Sequence, residues 1–217
     1  MEKHVETLKI HDWILRYREP DSEGPHPVVW LFHGWMGDED SMWIFASLLP
    51  KHFLILAPRA PIQSKNSGYT WYPEEQERWP TVEIFKPAIE GLLELMESWP
   101  LSAPWADFDR FRLAGFSQGA ALAYAFTLTH PQKVQAVAGL AGFLPAESEA
   151  HVDPTALAGL SVYVSHGSKD KMVPIEKARE AARFFDDIGA EVTFCESDVG
   201  HKLSADCFRG LEAILEE

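Results

Sequence analysis

The sequence predicts an α/β fold with a mainly parallel, doubly wound sheet, helices on both faces and an N-terminal β-hairpin. Short apolar runs alternate along the chain with longer segments of helical spacing, which is typical of strand-helix-strand units with right-handed crossovers. Several of these runs are apolar throughout, as in strands that are buried on both faces. Because 217 residues with 46% hydrophobic content can bury a full core, we expect a single domain over residues 1–217.

The elements follow one another in a regular order. Loose alternation, broken at residues 11–12, predicts the hairpin over residues 4–18. Strands are then predicted at residues 28–32, 53–57, from 110 onward, 134–140, 160–164 and 191–196. Helices are predicted at residues 41–49, 81–99, 118–128, 175–188 and 203–217, where Pro87 either kinks the second helix or delays its start. Residues 59–80 are irregular and rich in aromatic side chains, and long irregular loops in compact domains are usually functional.

The charge and the absence of long apolar runs exclude several classes of protein. The chain carries 19 Lys and Arg against 33 Asp and Glu, a net charge of −14 with a pI near 5.0. This balance argues against nucleic acid or an anionic membrane surface as the main partner. No apolar run approaches the roughly 18 residues of a membrane span, and the N-terminus has no apolar signal region. We expect a cytoplasmic protein with no integral membrane association; a homodimer is compatible with the sequence, which does not determine the oligomeric state.

The chain has two cysteines, Cys195 and Cys207. Their spacing does not match a metal-binding pattern. We expect two ordinary buried thiols and no metal site, with a disulfide between them as the alternative.

The sequence Gly-Phe-Ser-Gln-Gly at residues 115–119 has the nucleophile-elbow pattern G-x-S-x-G. A predicted strand precedes it and an Ala-rich helix follows it, which is the context that the pattern requires. The glycines would relieve collisions with neighbouring elements, because a serine on so sharp a turn has a strained backbone. The helix N-terminus would bring unpaired N–H groups and a positive dipole end to the place where an oxyanion forms. Ser117 is therefore the candidate nucleophile.

A serine nucleophile needs a base, and nine histidines compete for that role. His201 follows the last predicted strand, so its position suits the base. His33 opens a Gly-containing loop before the nucleophile, which favours a part in shaping an oxyanion hole. His166 precedes Gly167 and is interpreted as a turn residue that shapes the loop of the acid.

The acid that orients the base has several candidates, which are Asp153, Asp170, Glu196 and Asp198. Asp198 lies three residues before His201, but a carboxylate in the same short turn is badly placed to reach the far imidazole nitrogen. Asp170 leaves the neighbouring strand end and suits the role better. The resulting order Ser, Asp, His is the one found in α/β-hydrolases.

Six segments together resemble the phospholipase/carboxylesterase family of small α/β-hydrolases, which includes the acyl-protein thioesterases. The resemblance covers residues 28–216 and is carried by residues 31–38, 57–61, 115–119, 141–145, 166–174 and 200–201. It implies Ser117 as nucleophile, Asp170 as acid and His201 as base, with oxyanion N–H groups from Trp35 and Gln118. The sequence departs from the family pattern at Met36, where many relatives have glycine, and in the aromatic loop at residues 62–80.

The resemblance and the residues together predict a serine esterase that cleaves carboxylic esters or thioesters through an acyl-enzyme, without metal or organic cofactor. Its partner would be a small-molecule or acyl ester. Trp35, Trp71 and Phe143 are expected to wall an apolar, open substrate pocket, with plain core packing as the alternative for each. A peptidase or lactone hydrolase on the same fold, and a binding protein on a hydrolase scaffold, are the competing hypotheses.

Overall fold

The computed structural model describes residues 5–21, 24–47, 49–75, 78–98 and 106–216. The strands in this part of the chain are β1 (Val5–Ile10), β2 (Trp13–Arg18), β3 (His26–Phe32), β4 (Leu54–Pro58), β5 (Ile62–Gln63), β6 (Tyr69–Thr70), β7 (Ala106–Phe116), β8 (Val134–Leu140), β9 (Ser161–Gly167) and β10 (Glu191–Ser197). The α-helices are α1 (Trp43–Ala46), α2 (Lys86–Ser98), α3 (Gln118–Thr129), α4 (Pro154–Leu157), α5 (Ile175–Asp187) and α6 (Ala205–Glu216).

Eight strands form one sheet in the order β1-β2-β4-β3-β7-β8-β9-β10. The pair β1 and β2 is an antiparallel hairpin, and β2 also runs antiparallel to β4. All pairs from β4 to β10 are parallel. The predicted N-terminal hairpin and mainly parallel sheet are confirmed.

The sheet buries both of its faces. Along β3 the side chains of Val28, Trp30 and Phe32 belong to one core, and those of Val29 and Leu31 belong to the other. This alternation follows from the two-residue period of a strand. The first core also contains residues of α2, α3 and α5, and the second contains residues of α1 and α6. Helices therefore cover both faces, as the apolar runs predicted.

Helix α3 is the most deeply buried helix, since every residue from Gln118 to Leu128 is buried. One of its alanines, Ala120, allows the loop after β8 to approach the helix closely. An added Cβ at Gly142 would lie 2.2 Å from the Cβ of Ala120. The nucleophile elbow thus stands on a helix that is packed on all sides.

The structure modifies two predicted helices. The helix predicted over residues 41–49 is the single turn Trp43–Ala46. The helix predicted from residue 81 begins with a 3₁₀ turn, Val82–Phe85, and becomes α-helical only at Lys86. Pro87 therefore lies in the first α-helical turn, where its missing N–H is tolerated, so proline delays the helix rather than kinking it. Residues 4, 48, 99 and 217, which belong to predicted elements, lie outside the described residues.

The expectation of two free thiols is wrong, because Cys195 and Cys207 form a disulfide. Cys195 lies in the edge strand β10 and Cys207 in α6, which packs beside that strand. Their Cα atoms are 5.7 Å apart, well inside the range that a disulfide spans. The twelve-residue separation in sequence gave no sign of this proximity. Within the described ranges, no helix has the length and apolar character needed to cross a membrane.

Candidate active site

Ser117 lies in the turn between β7 and α3, at the carboxyl end of a central strand. Its backbone has φ 54° and ψ −113°, which is a strained conformation for a residue with a side chain. The Ser117 N–H donates to the Leu140 carbonyl at 2.8 Å and so ties the turn to β8.

The two glycines of the elbow are required by close backbone contacts. A Cβ at Gly115 would lie 2.1 Å from the Gly119 carbonyl oxygen, and one at Gly119 would lie 2.1 Å from the Phe32 carbonyl oxygen. Both distances are far inside van der Waals contact. The crowding that the G-x-S-x-G pattern suggested is therefore present at both positions.

His201 and Asp170 are joined by a short hydrogen bond. The distance from His201 Nδ1 to Asp170 Oδ2 is 2.6 Å. On its other side, the imidazole ring packs edge-on against Phe116, with 4.9 Å between ring centroids. Phe116 directly precedes Ser117, so the structure brings the predicted base and acid together beside the predicted nucleophile.

Backbone hydrogen bonds fix the loop that carries Asp170 to the loop that carries His201. Ser168 N–H donates to the Ser197 carbonyl at 2.8 Å, and Lys169 N–H donates to the Val199 carbonyl at 2.9 Å. A Cβ at Gly167 would lie 2.2 Å from the Gly200 carbonyl oxygen. Glycine at this position therefore permits the close approach of the two loops.

Asp170 is held as an anion by donors on both oxygens. Its Oδ1 accepts from the N–H groups of Met172 at 2.8 Å and Val173 at 3.0 Å, while Oδ2 accepts from His201. Burial acts to raise the pKa of this carboxyl, but the hydrogen bonds from His201, Val173 and Met172 outweigh it and the pKa lies below its ordinary value. The acid is thus ionised at neutral pH.

His166 is buried behind Asp170. Its Nε2 donates to the Val173 carbonyl at 2.8 Å and lies 3.3 Å from Asp170 Oδ2. Burial lowers the pKa of His166 below its usual range, so the ring is neutral when the protein is at neutral pH. Its contacts agree with the predicted role in shaping the acid loop.

His33 has both ring nitrogens engaged at the start of the loop after β3. Its Nε2 accepts from the Ala60 N–H at 2.9 Å, so Nδ1 carries the proton and donates to the Gly34 carbonyl at 2.7 Å. Burial lowers the pKa of His33 from 6.5 to about 4. The neutral imidazole therefore braces the loop that contains Trp35.

Trp35 and Met36 are the central residues of a tight turn. Gly37 N–H donates to the Gly34 carbonyl at 3.0 Å, and Met36 has φ 63°. This left-handed conformation is the one that favours glycine, which gives a physical reason for the glycine of many relatives and means that Met36 adopts a strained backbone at this position. A Cβ at Gly34 would lie 3.3 Å from Ser117 Cβ, so the turn stands directly beside the elbow.

Gln118 is the first residue of α3, where backbone N–H groups have no partner within the helix. Its side chain is buried and turned away to the 70–71 segment. There Oε1 accepts from the Trp71 N–H at 3.0 Å, and Nε2 donates to Thr70 Oγ1 at 2.9 Å. The side chain fixes a neighbouring loop, which leaves the backbone N–H as the group available to a ligand.

A cavity of about 380 Å³ opens over Ser117 and Gln118. Its aromatic walls are Trp35, Tyr72, Trp79 and Phe143. Phe143 and Trp79 pack edge to face with ring centroids 4.9 Å apart, whereas Trp35 is 48% exposed at the rim. The structure therefore brings two of the three predicted wall residues, Trp35 and Phe143, to the cavity.

Trp71 does not line the cavity, and its expected place in the pocket wall is corrected. The side chain is 1% exposed and packs against Phe32 and His33. Its Nε1 donates to the His33 carbonyl at 2.8 Å. Because the indole N–H needs a buried acceptor and finds one in the core, Trp71 supports the loop beneath the site instead of contacting its contents.

Sequence reasoning missed several residues of the cavity, among them Tyr72, Trp79 and the exposed Met172. It also missed the two charged wall residues, Glu74 and Arg78. The available signal was the aromatic loop at residues 62–80, from which Tyr72 and Trp79 come. In the described parts of the chain, no cluster of three or more His, Cys, Asp or Glu side chains could hold a metal ion.

Comparisons with known proteins agree with this arrangement. Residues 19–216 match the phospholipase/carboxylesterase family. Acyl-protein thioesterase 1 of Kluyveromyces lactis is 29% identical over 174 residues, which cover 73% of this chain and 76% of that protein. A probable inactive carboxylesterase of Oryza sativa is 36% identical over 107 residues, 46% of this chain and 44% of that one.

The fold also matches solved structures. The crystal structure of a carboxylesterase from Mesorhizobium loti superposes with a TM-score of 0.82, covering 98% of both chains at 19% sequence identity. At that identity the likeness concerns the fold. Together with the match over residues 19–216, it shows that the chain belongs to the phospholipase/carboxylesterase family, a family of serine ester hydrolases with the α/β-hydrolase fold.

Proposed function

We propose that the protein hydrolyses carboxylic esters through an acyl-enzyme formed on Ser117. The observation that carries this proposal is the 2.6 Å hydrogen bond between His201 Nδ1 and Asp170 Oδ2, made beside a serine in a strained elbow. A neutral histidine with its Nδ1 proton directed to a carboxylate presents Nε2 as a base. These are the groups that activate a serine hydroxyl.

The reaction has two symmetrical halves. Ser117 Oγ attacks the ester carbonyl carbon while His201 Nε2 takes the hydroxyl proton, and the same proton passes to the departing alcohol as the carbon-oxygen bond breaks. Water then attacks the acyl-enzyme, His201 takes its proton, and the carboxylic acid leaves as Ser117 regains its hydrogen. Asp170 remains ionised and stabilises the imidazolium in both halves.

The oxyanion is stabilised by backbone N–H groups of Trp35 and Gln118. Both residues line the cavity with Ser117, and the helix N-terminus at Gln118 adds a positive dipole end. Each such donor accounts for roughly 10²- to 10³-fold in kcat in enzymes of this kind. The acyl or alcohol group lies against Trp35 and Phe143.

Thioesters are the second substrate class to test. The support is the Kluyveromyces lactis relative, whose name is acyl-protein thioesterase 1. Hydrolysis of p-nitrophenyl esters and of acyl-thioesters with the same acyl chain distinguishes the two preferences. A peptide or lactone substrate in the same panel addresses the competing hypotheses.

The first test is the Ser117→Ala variant. Alanine adopts the same backbone conformation as serine here, so we expect an intact fold and a loss of esterase activity of about a thousandfold or more. Labelling by a fluorophosphonate should disappear in parallel, since only an activated serine reacts. Ser168→Ala is the matched control, because it removes a hydroxyl that bonds to the exposed Asp198 side chain at 3.4 Å and keeps the backbone N–H that donates to the Ser197 carbonyl. Retained hydrolysis or labelling in Ser117→Ala would move the nucleophile to another residue.

A further inference from the structure

The turn that carries the Trp35 N–H is strained and needs support from outside itself. Met36 is left-handed with φ 63°, a conformation that is unfavourable for a residue with a side chain. Such a residue keeps its conformation only when the surrounding contacts determine it. The contacts that hold this turn therefore decide where the Trp35 N–H points.

An ion pair at the far end of the loop supplies one of these contacts. Arg59, just after β4, donates from Nε to Glu39 Oε2 and from Nη2 to Glu39 Oε1, both at 2.6 Å. The side chains are 25% and 8% exposed. A bidentate guanidinium-carboxylate pair fixes orientation as well as distance, so Glu39 is held at one angle to Arg59.

Tyr69 connects the same arginine to the turn itself. The guanidinium lies over the Tyr69 ring, 4.6 Å from its centroid, and Nη1 donates to Tyr69 Oη at 3.1 Å. The Tyr69 N–H in turn donates to the Gly37 carbonyl at 2.8 Å. Arg59 therefore contacts Glu39 directly and is connected to Gly37 through Tyr69. Both Glu39 and Gly37 lie on the C-terminal side of Met36.

The same segment braces the N-terminal side of the turn. The Ala60 N–H fixes the His33 tautomer, and the His33 Nδ1–H then holds the Gly34 carbonyl. Residues 59 and 60 therefore reach both ends of the sequence 34–39. Residues 59 and 60 belong to the stretch 57–61 that resembles the family. Their contacts connect this stretch to the turn at Trp35 and Met36.

We propose that Arg59 and Glu39 are positioning residues that hold the Trp35–Met36 turn with the Trp35 N–H directed at the developing oxyanion. This inference rests on the proposed ester hydrolysis. Neither side chain lines the cavity over Ser117, so the expected effect of each acts through the turn. Since the Trp35 N–H stabilises the transition state more than the bound ester, a displaced turn lowers kcat and leaves KM nearly unchanged.

The test compares Arg59→Gln with Arg16→Gln. Arg16, in β2, forms an exposed ion pair from Nη1 to Asp40 at 2.8 Å. Asp40 is the residue next to Glu39, so the control removes an arginine that pairs with the same loop. For Arg59→Gln we expect kcat to fall roughly 10- to 100-fold with KM within about threefold. Affinity for a trifluoromethyl ketone analogue of the ester should fall by the same factor as kcat/KM. Arg16→Gln should match wild type in all three measurements.

A second variant separates positioning from folding. Arg59→Gln leaves the Glu39 carboxylate unpaired and nearly buried, which is itself destabilising. The double variant Arg59→Met with Glu39→Leu leaves no unpaired charge, so its melting temperature should return toward that of wild type. We expect its kcat and ketone affinity to stay low, because the apolar pair does not fix the angle of the loop.

Two results would overturn the proposal. One is an Arg59→Gln enzyme whose melting temperature falls while its kcat and ketone affinity equal those of wild type. The other is a double variant that recovers both stability and kcat. Failure of the proposed function is distinguishable from either, because then wild type itself neither hydrolyses esters nor reacts with a fluorophosphonate.

Discussion

Two aspartates near His201 have opposite environments. Asp170 is buried at its side chain and bonded to His201 and to two backbone N–H groups. Asp198 is 73% exposed at its side chain and pairs with Lys169 at 2.7 Å. Only the first carboxylate is placed to orient the imidazole.

We therefore expect Asp170→Asn to lower kcat by roughly 10²- to 10⁴-fold, through the wrong histidine tautomer and lost stabilisation of the imidazolium. Asp198→Asn should change kcat by less than about tenfold, as for a group that does not touch the base. Steady-state kinetics of both variants beside wild type measure the difference. If Asp198→Asn were the impaired enzyme, the assignment of the acid would be wrong although the serine and histidine could stand.

The sequence predicts Ser117, Asp170 and His201 because local patterns and chain order place all three at strand ends on the same edge of the sheet. It does not predict that Trp71 is core and Tyr72 is cavity wall. The sequence does not distinguish a core aromatic residue from a neighbouring aromatic residue in a cavity wall. The Trp71 side chain is buried because its indole N–H donates to the buried His33 carbonyl. The ion pair between Arg59 and Glu39 is not predicted from the sequence either, because 20 residues separate the two side chains along the chain.

At the scale of elements, the disulfide joins β10 to α6 across the loop that carries His201. The bonded residues are 12 apart in sequence, and His201 lies midway between them. A cross-link of this kind restricts the unfolded chain. In the folded protein the disulfide also limits how far α6 can move away from β10, and so restricts the loop between them that carries His201.

Reduction should measurably weaken the fold. For a ring of this size the chain-entropy estimate is about 3 kcal/mol of unfolding free energy. We expect dithiothreitol to lower the melting temperature of wild type and to leave a Cys195→Ala, Cys207→Ala double variant unaffected. Urea titrations with and without reductant measure the energy. An unchanged wild-type melting temperature after verified reduction would contradict a stabilising role for the link.

Strand β8 is a compact apolar run and has the predicted bounds of residues 134–140, whereas β7 begins at residue 106 instead of 110, and β5 and β6 lie in the stretch that was predicted to be irregular. The short helix α1 was predicted too long. Its sequence favours a helix through residue 49, but Arg18 donates to the carbonyls of Ala46, Leu49 and Pro50. The last carbonyls of a helix have no partner within it, so the arginine satisfies carbonyl groups at the end of this segment, and such a tertiary partner is invisible to local propensity.

For the whole molecule, buried neutral histidines make stability depend on pH. Burial lowers the pKa of His33 from 6.5 to about 4. Between these pH values His33 is protonated in the unfolded chain and neutral in the folded protein. The stabilisation is fully present above pH 6.5 and is lost as pH falls toward 4. Its size from this group is on the order of 3 kcal/mol. The pKa values of His166 and His130 are also lowered, chiefly by burial, and act in the same direction.

We expect the free energy of unfolding to decrease steadily from pH 7 to pH 5, before most carboxylates begin to titrate. Urea denaturation at closely spaced pH values, at constant ionic strength, gives this quantity directly. A free energy of unfolding that stayed constant over that interval would show that His33 can be protonated in the folded state.

The disulfide also bears on where the protein is found. Disulfides persist in oxidising compartments and are rare in the cytosol, whereas the sequence alone led us to expect a cytoplasmic protein. The cytoplasmic location stays a prediction. Mass spectrometry of thiol-alkylated protein taken directly from its source would report the oxidation state of Cys195 and Cys207 there.

Helix α3 is buried along its length, whereas the cavity walls come from loops. The two regions should therefore differ in how well they tolerate substitutions. The nucleophile stands at the start of a helix whose residues from Gln118 to Leu128 are all buried, so an enlarged side chain there has little free space and should destabilise the fold. The cavity walls come instead from loops, at Trp35, Tyr72, Trp79 and Met172, two of which, Trp35 and Met172, present large exposed side chains. Directed evolution toward a new ester should therefore accumulate its productive changes in these loops, and libraries that spare residues 115–128 should retain a larger share of active clones.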